Sequence, residues 1–447
     1  MDTVATLDIR SFINERRMSL RQWFLVALCL AIVAVDGMDV AIMGFVAPSV
    51  IGEWGISRPA FGLVMGAAPI GLALGALLAG SSADWFGRRK VLLASVLGFG
   101  VCTVATGYAG NPGQMAFLRL LTGLGLGAAM PNTTTLLTEY VPERSRSFIV
   151  ATMFTGFNLG SALIGFVAAS LIPHLGWRSV LLFGGGLPLA LLPLLLAFLP
   201  ESARFMAVRG FRAEKIGKVL GRMCGTTLDG YRAFVSKETA PATRQPLAVL
   251  FNPAYALRTF TLWVTYFMGL LVIYLTTSWL PTMIKDAGLP IERAAEITAM
   301  FQAAGTVGAI VVGFAMDRSS PSRIISLTYL LGAAALVVLG LSGVASAWIA
   351  LLVGAVGFFL SGAQTGLNAY APSCYPTVAR ATGVSWMLGI GRLGSILGSS
   401  IGGLLLSQGW GFGRIFMMLA LPASLAAVAI ALSRRTAARD RSSEQAA

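Results

Sequence analysis

The sequence predicts an all-α polytopic membrane protein of twelve transmembrane helices in two pseudo-symmetric six-helix halves. Three observations carry that prediction. Of 447 residues, 56% are hydrophobic and only 12% charged, against about 25% charged in a typical soluble domain, and the mean hydropathy is +0.77. Apolar runs long enough to cross a bilayer core, which takes roughly 20 residues, recur along the chain. They fall into two sets of six around a polar stretch, the pattern of a duplicated half.

Taken in order, residues 1–22 form a polar segment carrying Arg10, Arg16, Arg17 and Arg21. The first half, 23–199, holds spans expected at 23–47, 61–83, 91–109, 114–137, 148–172 and 178–199. Residues 200–258 form a polar loop. The second half, 259–433, holds spans at 259–281, 295–316, 324–342, 346–371, 381–407 and 412–433, followed by a charged tail, 434–447, expected to lack structure. Of the 33 basic residues, only Arg58, Arg178, Lys285, Arg293 and Arg414 fall in the loops on one side, and Arg119 and Arg392 fall inside spans. By the positive-inside rule the other side, with both termini and the central loop, is cytoplasmic. Topology therefore accounts for the net charge of +14 without nucleic acid. Some twenty polar residues precede the first span, so no cleavable signal peptide is expected. Cys29, Cys102, Cys224 and Cys374 show no CxxC or His-Cys spacing, and His174 stands alone, so neither a metal, a cofactor nor a disulfide framework is indicated.

The chemistry concentrates in a few polar residues. Asp36 and Asp39, in Asp36-Gly37-Met38-Asp39, lie at i and i+3 and share a helix face. An ionised Asp at the centre of a span costs about 2.5–3.5 kcal/mol, so the pair needs a cavity, a partner or bound protons and is the candidate proton path. Arg119 sits in a small-residue ladder with Gly123 and Gly127. Snorkelling to the surface is one reading of it, and pairing with a first-span aspartate or contact with substrate is the other. Arg392 lies too deep in its span to snorkel, and its planar fork suits a carboxylate, which makes it the first candidate to grip an anionic substrate. Trp263, Tyr266, Phe267 and Tyr274 form one aromatic face of the seventh span. That face suits either an aromatic ligand or ordinary helix and lipid packing. The first basic hairpin reads Gly80-Ser-Ser-Ala-Asp84-Trp-Phe-Gly87-Arg88-Arg89-Lys90, and a shortened echo, Gly313-Phe-Ala-Met-Asp317-Arg318, stands at the matching place in the second half. Asp84 is a candidate anion for a helix N-terminus. Glu139 is expected to act as a gate or as a hairpin partner of Arg144 or Arg146, and Arg380 to act as a gate or topology charge.

These motifs resemble the major facilitator superfamily over the whole chain. The hairpin is similar to that family's motif between spans 2 and 3, and the acidic first-span stretch to the signature of its aromatic acid:proton symporter branch. Further likenesses are Arg119-x-x-x-Gly123-x-x-x-Gly127, Met130-Pro131-Asn132, Pro200-Glu201-Ser202-Ala203-Arg204-Phe205 and Arg380-Ala-Thr-Gly383-Val-Ser-Trp386. Gly156-Phe-Asn-Leu-Gly160, Tyr266-Phe-Met-Gly269 and Trp386-Met-Leu-Gly-Ile-Gly-Arg392 look like bacterial 4-hydroxybenzoate/protocatechuate carriers. The resemblance implies a functional monomer in the bacterial inner membrane that imports such aromatic acids with protons. It also implies that positions matching the first-span acids, the hairpin, Arg119, Arg380 and Arg392 matter for transport. Ser322 stands where those carriers can have a histidine, so no proton role is carried over there. The fifth span, 156–165, lacks the proline of drug/proton antiporters, which favours uptake over export. The alternatives are a carrier for another organic acid (benzoate, phenylpropionate or a dicarboxylate) and an aromatic-acid sensor for chemotaxis. With one histidine, no HExxH and no Ser/His/Asp set, an enzyme is not expected.

Overall fold

The computed structural model describes residues 6–228, 231, 233–235, 249–344, 347–375 and 377–444. Twelve long helices dominate it: α2 (Leu20–Trp54), α3 (Arg58–Phe86), α4 (Arg88–Thr106), α5 (Pro112–Tyr140), α6 (Glu143–Leu175) and α7 (Trp177–Phe198), then α10 (Pro253–Asp286), α11 (Ile291–Arg318), α12 (Pro321–Ser342), α13 (Ile349–Tyr370), α14 (Thr377–Ser407) and α15 (Phe412–Glu444). Eleven are long and apolar enough to cross a membrane. The twelfth, α5, has 29 residues and carries Arg119, Asn132 and Thr133–Thr135. It packs between α3 and α4, so these polar groups face protein.

Helix ends follow local chemistry. Ser19 caps α2 with a reciprocal Ser19–Gln22 capping box, which satisfies two of the helix's free N–H groups. Gly55, at φ 61°, ends it in the left-handed conformation that glycine adopts without steric cost. α15 does not stop at Arg434 but continues to Glu444, correcting the expectation of an unstructured tail. Its Ala- and Arg-rich sequence contains no Gly or Pro after Pro422, so nothing in it breaks the helix.

The polar segments also fold. The strand β1 (Thr6–Asp8) pairs in parallel with β2 (Ala233–Val235), Leu7 opposite Phe234. Beside them lie α1 (Ile9–Asn14), α8 (Ala203–Val208) and α9 (Ala213–Cys224). Arg21 donates to Arg222 O at 2.9 Å, and Arg10 forms an ion pair with Glu143. The chain's start and the segment after α7 thus form one small cap on the face that carries the termini, here termed the basic face.

Glycines set the close helix contacts. A Cβ on Gly123 or Gly127 would collide with the α3 carbonyls of Ala68 or Leu72, so the Arg119 ladder is a backbone-to-backbone seam. On the face opposite the termini, the two sets of six helices meet. Lys285 Nζ donates to Pro48 O at 3.2 Å, Arg58 pairs with Asp286 at 2.7 Å, and Phe61 meets Trp279 edge-on at 6.5 Å. Gly62 lies against Ser400 O, where a Cβ would not fit.

Candidate functional site

The aspartates of α2 go to different partners. Asp39 is held by Arg119: Nη1 donates to Oδ1 at 3.0 Å and Nη2 to Oδ2 at 2.7 Å. Nη2 also reaches the Asp39 backbone carbonyl at 3.1 Å, and the Thr103 hydroxyl donates to Oδ1. Both side chains are 1% exposed. This bidentate pair ties α2, α5 and α4 together inside the first set of helices, where low dielectric strengthens it and where either charge alone would be costly. Gly37, between the aspartates, lets α6 approach: a Cβ there would strike Phe157 O, and Ser161 Oγ donates to Gly37 O at 2.7 Å.

Asp36 points to the other set. It is 2% exposed, and its Oδ1 has no hydrogen-bond partner among the described residues. Arg392, at the middle of α14, lies within its electrostatic reach. Arg392 is half-buried, has no carboxylate at ion-pair distance among the described residues, and lies beside the buried hydroxyls of Tyr266 and Tyr274 of α10. Gly391 makes room for this approach, since a Cβ there would enter the Tyr266 ring. Around Tyr266 stand Gln364 and Asn368 of α13, and Tyr329 of α12 donates to Gln364 Oε1 at 2.7 Å. Toward the basic face, Trp263 stacks on Trp386 at 5.7 Å. A cavity of about 20 Å³ lies beside Tyr274, lined also by Val40, Pro69, Leu72 and Ser399.

The hairpin between α3 and α4 is organised by a different carboxylate than expected. Glu201 Oε1 accepts from Arg88 N at 2.9 Å, Arg89 N at 3.2 Å and Ser202 N at 2.9 Å. It thus caps the N-terminus of α4, where the helix dipole favours an anion. Gly87, at φ 93°, both turns the chain and leaves room for Glu201 Oε2, which a Cβ would strike. Asp84 is exposed and instead pairs with Arg88 at 3.0 Å, while its backbone carbonyl accepts from Arg209 at 2.6 Å. Glu139 faces Arg88 at 4.0 Å. Arg144 donates instead to Arg16 O at 2.9 Å, which corrects one of its two expected partners, while Arg146 lines the same cavity of about 190 Å³ as Glu139. Gly80 lies in α3 a turn before Asp84.

The first of the comparisons with known proteins decides the family. The Major Facilitator Superfamily model matches residues 28–370 and 294–447, together nearly the whole chain. The chain belongs to the major facilitator superfamily. It is therefore a membrane transport protein and not an enzyme. A gallate transporter of Pseudomonas putida is 55% identical over 426 residues, covering 95% of each chain. A 4-hydroxybenzoate transporter, PcaK, of Pseudomonas aeruginosa is 48% identical over 433 residues, 97% of each. Among solved structures, a bacterial homologue of the human lysosomal transporter Spinster, inward-facing and unoccupied, gives a TM-score of 0.71 at 16% identity, over 95% of this chain and 99% of that one. That likeness concerns the fold alone.

Within this superfamily frame, the structure brings Asp36, Tyr266, Tyr274 and Arg392 into one cluster. It places Asp39 and Arg119 in a separate, closed pair, and Trp263 against Trp386 nearer the basic face. Arg380 is exposed in the first turns of α14. The echo in the second half carries less than its counterpart: Arg318 lies over the Phe314 ring at 3.7 Å, and Asp317 is exposed without an ion pair among the described residues. Thr103, Glu201, Tyr329 and Gln364 are the participants that the sequence reading assigned no role. Gln364 did carry a signal, as an amide inside an apolar span, where polar groups are costly. Thr103 carried none.

Proposed function

We propose that this chain imports hydroxylated aromatic carboxylates, with gallate, 4-hydroxybenzoate and protocatechuate as the first candidates, in symport with protons across a bacterial inner membrane. The observation that carries the reading is Arg392. It is a permanent cation at mid-helix, half-buried between the two sets of helices, with no carboxylate of this chain at ion-pair distance among the described residues and with aromatic side chains around it. A benzoate would give it a bidentate partner and lay its ring against Tyr266 and Tyr274. The 55% and 48% identical relatives named for gallate and 4-hydroxybenzoate support the same class.

Coupling follows from charge. An incoming carboxylate and Asp36 together face one guanidinium, which leaves one negative charge in excess. A proton on Asp36 removes that charge, so substrate and proton load together, and each favours the other by the same factor. Asp36 is thus the proton carrier, and Asp39 is held out of the cycle by Arg119. Entry of each further proton is driven by about 2.3 kcal/mol per 100 mV of membrane potential.

The distribution of Lys and Arg supports a cytoplasmic basic face, with both termini inside the cell. The arrangement is then inward-facing: the far side is closed by Lys285, Arg58–Asp286 and Phe61–Trp279. Residues 23–199 and 259–433 move as the two bodies of a monomer, rocking about Arg392, and Glu201, Asp84 and Arg88 steady the α3–α4 hairpin as they do. Uptake of labelled gallate, 4-hydroxybenzoate and protocatechuate by cells producing the protein, with and without an uncoupler, tests the reading. Accumulation that collapses with the uncoupler is expected; accumulation indifferent to it contradicts proton coupling, and no uptake of any of the three contradicts the substrate class.

A further inference from the structure

Gln364 is 7% exposed, and its amide is used on one side only. Oε1 accepts from the Tyr329 hydroxyl at 2.7 Å. Nε2, with two N–H donors, has no partner among the described residues. A buried donor left without an acceptor destabilises a structure, so one that persists beside this polar cluster points to an acceptor supplied from outside. The surroundings restrict which acceptor that is. Gly269 of α10 makes space for the Gln364–Tyr329 pair, since a Cβ there would strike both Oε1 and the tyrosine oxygen. The Tyr266 hydroxyl lies beside Gln364 and within the field of Arg392. The Tyr266 hydroxyl is thus near both polar groups. Gln364 is one and a half helical turns from the basic-face end of α13, and Arg392 is at the middle of α14, so the two polar ends are also offset along the membrane normal.

Resting on the substrate class proposed above, we infer that Gln364 reads a ring hydroxyl of the substrate: Nε2 donates to the phenolic oxygen while Arg392 holds the carboxylate, and Tyr329 fixes the amide so that its donor side faces the ligand. Gln364 is then a specificity residue that separates hydroxylated benzoates from unhydroxylated ones. Tyr266 lies alongside and has a hydroxyl that can exchange a hydrogen bond with the same oxygen. A site built to hydrogen-bond a substrate hydroxyl rejects an analogue that lacks it, because its own polar group is then left unpaired.

The test compares two ligands of nearly equal shape, 4-hydroxybenzoate and 4-methylbenzoate, by equilibrium binding to the purified full-length protein in lipid nanodiscs. The parent is expected to prefer the hydroxyl compound by about tenfold or more, the effect of one buried hydrogen bond. Gln364→Met and Gln364→Leu are expected to erase that preference by weakening 4-hydroxybenzoate, with 4-methylbenzoate held within about twofold of the parent or tighter. Tyr329→Phe keeps Nε2 and is expected to retain most of the preference. An unchanged ratio in the Gln364 variants, an equal loss of both ligands, or a parent without preference overturns the inference while leaving Arg392 and the aromatic acid class intact. Failure of the parent to bind either acid instead contradicts the proposed function itself.

Discussion

Arg119 and Arg392 are the two arginines that fall inside spans, and they are housed in opposite ways. Arg119 is 1% exposed and meets Asp39 through two parallel hydrogen bonds, with Thr103 on the same carboxylate. Arg392 is half-buried and faces Asp36 and two tyrosines with no carboxylate at bonding distance among the described residues. A guanidinium cannot shed its charge to escape the membrane. One of these is therefore neutralised by its own chain and holds three helices together; the other has no carboxylate at ion-pair distance among the described residues. The same residue type is thus paired within the chain in one half and, in the proposed function, holds the substrate in the other.

The comparison is broken most severely at Arg119. Arg119→Ala leaves Asp39 buried and uncompensated, and is expected to cost about 3–5 kcal/mol of stability, as removal of one partner of a buried pair does. Arg119→Leu combined with Asp39→Leu is expected to recover most of it, because the pair is then removed whole. Thermal unfolding of the purified variants in detergent checks both. If the double variant is as unstable as the single one, the arginine has a partner other than Asp39.

Asp36 sharpens the other side. Asp36→Asn is expected to abolish accumulation against a gradient while leaving exchange of substrate across proteoliposomes, since the site then behaves as permanently protonated. Asp39→Asn is expected instead to lower the amount of folded protein, because it strands Arg119. Counterflow and protonophore-sensitive uptake, measured side by side, separate the two; equal behaviour of both variants refutes the division of labour. A smaller effect is expected at Glu201→Gln, about 1 kcal/mol from weakened capping of α4. It should slow transport without changing the ratio of rates between gallate and 4-hydroxybenzoate, and a changed ratio contradicts a purely conformational role.

The long apolar runs made the twelve helices legible, because a span needs little more than length and hydropathy. The depth of Arg392 and the Asp36–Asp39 pair were legible for the same reason: a charge in an apolar run is visible against its background. Partner choice was not. Asp36 and Asp39 share a face, yet Asp39 pairs with Arg119 while Asp36 lies near Arg392 without a hydrogen bond to its Oδ1. Asp84 looked like the capping acid because it stands in the motif, whereas Glu201 arrives at α4 from a distant turn of the chain. Only packing reveals such a partner. The aromatic stripe of α10 was one feature in sequence and is two in space, with Tyr266 and Tyr274 at the polar cluster and Trp263 stacked on Trp386.

Arg392 as the grip for the substrate carboxylate is the central proposal, and one measurement addresses it directly. Binding of 4-hydroxybenzoate and of its neutral amide, 4-hydroxybenzamide, is compared between the parent and Arg392→Ala at fixed pH. The acid is expected to lose about 2–5 kcal/mol of affinity, the cost of removing one partner of a buried charged pair, while the amide changes little. If Arg392→Ala binds the acid as tightly as the parent does, the arginine is structural and the carboxylate is held elsewhere.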